Sequence, residues 1–329
     1  MTKNVFSIST IIVICASAFF LSFKNNTPNY EEVEIPIYSL PHNYLRWAEA
    51  GERKEIASYD ELLSYWKSVN YDHEAWEAGI REVPRTYIIS ISDQWGAKTS
   101  KQISTNSKKR VFFRAIAPLV LYANELILKD RERVLRVQLQ LKLGNEIQSK
   151  QEVFIRDLAH LYKLELKQGI TLNAVKQLAD RVDIIPVSLA LAQSAVESGW
   201  GTSRFTHVGN SIFGQWSWSD DAITPQEQRA HLGNYGIAKF ASLQESVCAY
   251  MLNINSHYAY QDLRKIRSKS RSNNEKPRGM DLAAGLLRYS ERGESYVKEI
   301  RSMISYNHLE ATDTAFLTDK APVFLVRKN

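Results

Sequence analysis

The chain has 329 residues, 44% of them hydrophobic and 24% charged, a balance that excludes a disordered, collagen-like or polytopic membrane protein. Its 42 basic and 36 acidic residues leave a net charge of +6 and a pI near 9.1. The charges are scattered rather than gathered into one stripe, and the densest basic runs, 108–110 and 264–271, read as solvated surface, so no nucleic-acid partner is expected. The cysteines are Cys15 and Cys248, with no spacing that suggests zinc, so neither a structural disulfide nor a metal is expected.

Residues 5–23 carry no charge and follow Lys3, the pattern of an export signal or an N-terminal membrane anchor. Ala16-Ser17-Ala18 offers a cleavage site, whereas Phe19, Phe20 and Leu21 prolong the apolar run toward a bilayer-spanning length. Residues 24–43, with Pro28, Pro36 and Pro41, read as a linker. From 44 to 165 the pattern is mixed and then helical. YDELLSYWKSV predicts a helix, RTYIISISDQW a strand, and the polar stretch 99–109 a loop. A helical period runs from Arg110, with Pro118 expected to kink or end it. This region holds no catalytic constellation, and His42, His73 and His160 are isolated. It is expected to be an accessory region, so a fragment starting near Val153 should keep the chemistry.

Residues 166–308 are mostly helix patterns around an irregular stretch, 209–239, that suggests loops and a short hairpin. Residues 309–329 are expected to be a tail. In PVSLALAQSAVESGW, Ile185, Leu189, Ala192 and Val196 share one apolar face, and Glu197 falls on a more polar side with Gln193 and Ser194. Glu197 is placed in the last helical turn, where the carbonyls disfavour its charge, and Trp200 is near in sequence. Both effects would raise its pKa toward that of a general acid. Trp216 and Trp218 could offer faces to sugar rings, Phe213 suits the core as well, and Tyr289 and Tyr296 flank a turn before a helix.

AQSAVESGWGTSRF, GNSIFGQW, KFASLQESVCAYMLNIN with HYAYQDLR, and LLRYSERGESYVKEIRSMI occur in order between residues 192 and 304, within a resemblance that covers 168–307. Together they resemble the glucosaminidases of flagellar and autolysin peptidoglycan hydrolases, glycoside hydrolase family 73, and within it the Bax subgroup of Gram-negative bacteria. The resemblance implies a mainly α, lysozyme-like helical domain with a small β-lobe, preceded by a mixed N-terminal region. It also implies cleavage of peptidoglycan strands after N-acetylglucosamine, without a cofactor, in the periplasm, free or tethered to the inner membrane through residues 5–23. Glu197 matches the family's general acid, and Gly209, Asn210, Phe213 and Gly214 match its cleft. Gln193, Trp200, Trp216 and Tyr296 are expected to line the cleft with them. Tyr289 matches the family's tyrosine before the last helix. Because the link to the next tyrosine is one residue longer here, Tyr296 is the alternative. Glu227 is the candidate second carboxylate, with Asp220, Asp221 or the substrate's acetamido group as alternatives. Two rival readings are a lytic transglycosylase, whose usual Gly-Leu-Met-Gln stands here as Ile-Phe-Gly-Gln, and a non-catalytic glycan-binding protein.

Overall fold

The computed structural model describes residues 51–225 and 235–328. The expected export segment and linker lie outside the described residues, and so does Glu227. The helices of ten residues or more are α1 (Tyr59–Ser68), α2 (Thr105–Lys142), α3 (Ser149–Leu161), α4 (Leu172–Arg181), α5 (Val187–Ser198), α6 (Leu243–Ser256), α7 (Gln261–Ser272) and α8 (Glu294–Tyr306). The strands are β1 (Glu52–Ile56), β2 (Glu82–Val83), β3 (Thr86–Ile88), β4 (Trp216–Ser217), β5 (Gly236–Ile237), β6 (Phe316–Leu317) and β7 (Val323–Arg327). The architecture is mainly α, with β4, β5 and the Ile223–Ile237 bridge forming the small β-lobe.

Helix α2 is the spine, packed against α4, α5 and α6. Its 18-residue apolar window is long enough to cross a bilayer, but 67% of that window is buried inside the protein, the pattern of a core helix. It begins inside the polar stretch that predicted a loop. Ser104 caps it by accepting the Ser107 N–H at 3.1 Å, and one π-helical turn, Trp95–Thr99, precedes it. Polarity there marks exposure rather than irregular backbone. Pro118 neither ends nor divides the helix. A proline leaves the carbonyl one turn back without its donor, and the buried Tyr71 hydroxyl donates to that Arg114 carbonyl at 3.2 Å.

The predicted strand over 85–95 is shorter than expected: only Thr86–Ile88 pairs with β7. The next carbonyl, of Ile89, accepts the Leu243 N–H at 3.0 Å at the start of α6, which takes it out of the sheet. Residues 309–329 are no tail. β7 is the central strand of a parallel sheet in the order β1-β7-β3, and β6 pairs with β2. Phe324 and Leu325 are buried there, so the two ends of the described chain close on one another. Nor do the described residues of the expected accessory region, 51–165, form a separate lobe. Trp66, Phe112, Ile116 and Leu119 belong to the same hydrophobic core as Leu189, Tyr250, Tyr296 and Ile300.

Helix α5 is buried on all sides from Val187 to Ala195, so the expected division into apolar and polar faces does not hold. Small Ala and Ser side chains let neighbouring helices approach from every direction. Its lead-in is pinned by Asp183, buried among Arg267, Arg271 and Arg131. Burial opposes the charge of Asp183, but Arg267 and its fellow guanidinium groups outweigh that and hold the carboxyl below its usual range. Pro186 cannot cap α5 with a side chain. The Asp313 carboxylate does so from 125 residues away, accepting the Ser188 N–H and hydroxyl at 2.9 and 2.8 Å.

Candidate active site

Helix α5 ends at Ser198, and Gly199, Trp200 and Gly201 follow with φ of +56°, +65° and +73°. Glycine enters this left-handed region freely, but tryptophan does not, so Trp200 must be held there. Trp95 Nε1–H donates to its carbonyl at 2.8 Å, and its ring meets Phe112 and Phe113 at centroid distances of 5.9 and 5.3 Å. Lys109 Nζ lies 5.3 Å from the same ring. Below, the Ser198 hydroxyl accepts the Gly201 N–H at 2.8 Å and donates to the Ser194 carbonyl at 2.6 Å. The turn after Glu197 is therefore clamped from both halves of the chain.

Glu197 is half-buried in the last turn of α5. Its Oε1 accepts the Tyr296 hydroxyl at 2.7 Å. Loss of solvent pushes its pKa up to about 7; the Tyr296 hydrogen bond and the Arg292 charge pull it back, and Glu299 pushes it further up. Arg292 and Glu299 are themselves paired at 2.6 Å. Gly214, with φ of +60°, is beside the other oxygen: a Cβ on it would stand 3.9 Å from Glu197 Oε2. A protonated carboxyl with one oxygen anchored and the other next to bare backbone can deliver a proton to a group bound there.

The other expected residues separate into two sets. Gln193 and Tyr296 are both 0% exposed, so neither lines a cleft wall; they form the floor behind Glu197. The Tyr250 hydroxyl donates to Gln193 Oε1 at 2.7 Å, and Gln193 Nε2–H donates to the Tyr296 oxygen at 3.0 Å. Phe213 is also core, stacked on Tyr250 at 3.8 Å. Tyr289 does not reach Glu197 by the hydrogen bonds that Tyr296 makes. It stacks on the Tyr296 ring at 5.4 Å and gives its hydroxyl hydrogen to the Phe213 carbonyl at 3.3 Å. Tyr250 was not among the expected residues; its place one helix away, on α6, left no local signal.

In the second set, Trp216 is half-buried and stacks on Tyr235 at 4.7 Å, with Trp218 edge-on and 49% exposed beyond it. Asn210 turns the chain at the base of the β-lobe, with φ of +51° and its side chain donating to the Phe240 carbonyl at 3.0 Å. Asp220 and Asp221 are exposed on the lobe. Trp200 faces the α2 aromatics. Among the described residues no group of His, Cys, Asp and Glu could hold a metal ion.

Residues 172–309 match the Glucosaminidase family, described as mannosyl-glycoprotein endo-beta-N-acetylglucosaminidase. The chain is also 29% identical over 207 residues to Protein bax of Escherichia coli (strain K12), covering 63% of this chain and 72% of that protein. No solved structure gives a significant match. The matched span contains α4 to α8, and therefore Glu197, Gln193, Tyr250 and Tyr296. Residues 172–309 therefore carry a glucosaminidase-type domain, and over most of its length the chain is similar to Protein bax.

Proposed function

We propose that the chain is a peptidoglycan hydrolase that cuts the glycosidic bond after N-acetylglucosamine, with Glu197 as general acid. The observation that carries this reading is the half-buried carboxyl at the end of α5, raised to about 7 and anchored by Tyr296. The glucosaminidase-type domain over 172–309 supports a glycoside hydrolase acting on cell-wall glycan.

Near neutral pH a large share of Glu197 carries its proton. The leaving glycosidic oxygen takes that proton as its bond to the anomeric carbon breaks, and positive character on the sugar is quenched by water. Glu227 is the candidate carboxylate for that second role, and the substrate's own acetamido group is the alternative. Exposed Trp218, with Trp216 behind it, offers a face on which a sugar ring can stack.

Digestion of purified sacculi tests the reading. Reducing N-acetylglucosamine ends are expected; anhydro-muramic ends would mean a transglycosylase, and no product a binding protein. Glu197→Gln should lower turnover by ~10²–10⁴-fold while glycan binding survives, because the amide keeps the hydrogen-bonding shape but has no proton to give. Near-native hydrolysis by that variant would overturn the assignment.

Peptidoglycan lies outside the cytoplasmic membrane, so this function requires export. The charge-free run 5–23 would be the signal or tether. An alkaline phosphatase fused after residue 43 should be active, and a stable but inactive fusion would contradict this.

A further inference from the structure

The hydrogen bonds behind Glu197 run in one direction, and that direction has a chemical consequence. Tyr250 gives its hydroxyl hydrogen to Gln193 Oε1, Gln193 gives an amide hydrogen to the Tyr296 oxygen, and Tyr296 gives its hydroxyl hydrogen to Glu197 Oε1. All three relay residues are 0% exposed, so no solvent offers a substitute acceptor. Both tyrosines keep their protons, because burial and the nearby Glu197 charge hold their hydroxyls well above the usual range.

We infer that Gln193 is a positioning residue that fixes the Tyr296 hydroxyl as a donor and thereby places the transferable proton of Glu197 on Oε2, the oxygen beside Gly214. The inference rests on Glu197 being the general acid. A proton on Oε1 would point at the Tyr296 hydrogen along the 2.7 Å bond. Tyr296 could relieve that clash only by turning its hydrogen toward Gln193, which presents N–H there and not an acceptor. Flipping the amide would take away Gln193 Oε1, the acceptor that the fully buried Tyr250 hydroxyl hydrogen holds at 2.7 Å. The polarity is thus set at the Tyr250 end and read out at Glu197. In the reaction the Oε2 proton passes to the leaving oxygen, which also keeps the electron pair of the broken bond. The carboxylate left behind is met by a Tyr296 O–H that already points at it.

Among the described residues, the charged and titratable groups acting on Glu197 are Tyr296, Arg292 and Glu299 from α8 and its lead-in, and its own charge is felt by Tyr250 of α6 and by Tyr260. Of these groups, removing the amide directly alters the hydrogen bonds of Tyr296 and of Tyr250, and only Tyr296 touches Glu197. In Gln193→Met, Tyr296 becomes free to accept from protonated Glu197, which favours the neutral acid.

The test uses the full chain, reading the pH profile of kcat/KM on sacculi and the side-chain carboxyl resonance of 13C-labelled glutamate, assigned by its loss in Glu197→Gln. Gln193→Met should move the basic limb and the Glu197 titration upward by about one pH unit and lower kcat about tenfold. Tyr296→Phe should shift them at least as far, and the double variant no further than Tyr296→Phe alone. An unmoved limb in Gln193→Met, or additive shifts in the double variant, would overturn the inference. Should Gln193→Met fail to fold, Tyr250→Phe takes its place: an upward shift supports the relay, and an unchanged titration overturns it. If Glu197→Gln is inactive while the relay variants leave the titration alone, the relay fails and the general acid stands. An active Glu197→Gln removes both.

Discussion

Glu197 is costly for the protein to keep. Its carboxyl has a folded value of about 7 against an ordinary 4.5, so the native state holds its proton more tightly than the unfolded chain does. For a raised carboxyl the sign is that stability is full below the unfolded value and falls as pH climbs from about 4.5 through about 7. Glu197→Gln abolishes this loss. Its thermal midpoint should match that of the wild type near pH 4 and exceed it at pH 8; equal midpoints at both would show that the carboxyl is not desolvated. A glutamate before Gly199 in a helix-final turn is readable from local sequence, and the match of its motif to the family singled it out. Its partner was not. Tyr289 and Tyr296 both flank the same turn, and which phenol faces Glu197 depends on how α8 is rotated against α5, a packing outcome with no local signature. The same holds for Gln193, whose polar side chain suggested a solvent face but is satisfied entirely by two tyrosines from other helices.

The helices illustrate how far periodicity carries. α1 follows its pattern and starts where expected because its cap is local, Ser58 accepting the Glu61 N–H, and Thr171 caps α4 in the same way by accepting the Ala174 N–H. α2 and α5 depart from expectation because their terminal or interrupted hydrogen bonds are completed from elsewhere. The Tyr71 hydroxyl lets α2 run through Pro118, and Asp313 supplies the cap that Pro186 cannot. Asp313→Ala would strand the Ser188 and Gly279 N–H groups together, the latter held at 3.1 Å. Losing a cap of this kind costs about 1–2 kcal/mol, and chemical denaturation should register it as a lower midpoint with an unchanged slope. An unaltered midpoint would mean that solvent replaces the carboxylate.

For the whole molecule the decisive fact is that one core joins residues on both sides of position 165. Asn124 on α2 exchanges two hydrogen bonds with the backbone of Ile185, at 2.8 and 3.1 Å, just ahead of α5. Trp95 and Phe112 buttress the turn that follows Glu197. A fragment beginning at Val153 would expose the α4, α5 and α6 surfaces that α2 covers. It should therefore fail to give a cooperative melt or an active enzyme, and a folded, active fragment would show that the family-matched span, 172–309, is self-sufficient.

By itself the amino-acid order determined what depends on near neighbours: the helical class, the hairpin lobe, the glutamate at a helix end and the ordered motifs of the family. Those features are set by side-chain periodicity and backbone preference within a few residues. Only the tertiary structure decided that residues 323–327 form a central strand, that residues before position 165 share the hydrophobic core behind Glu197, and that Tyr296 rather than Tyr289 holds Glu197. Each of these joins groups roughly a hundred or more positions apart, and their alignment follows from close packing of many helices at once rather than from any local pattern.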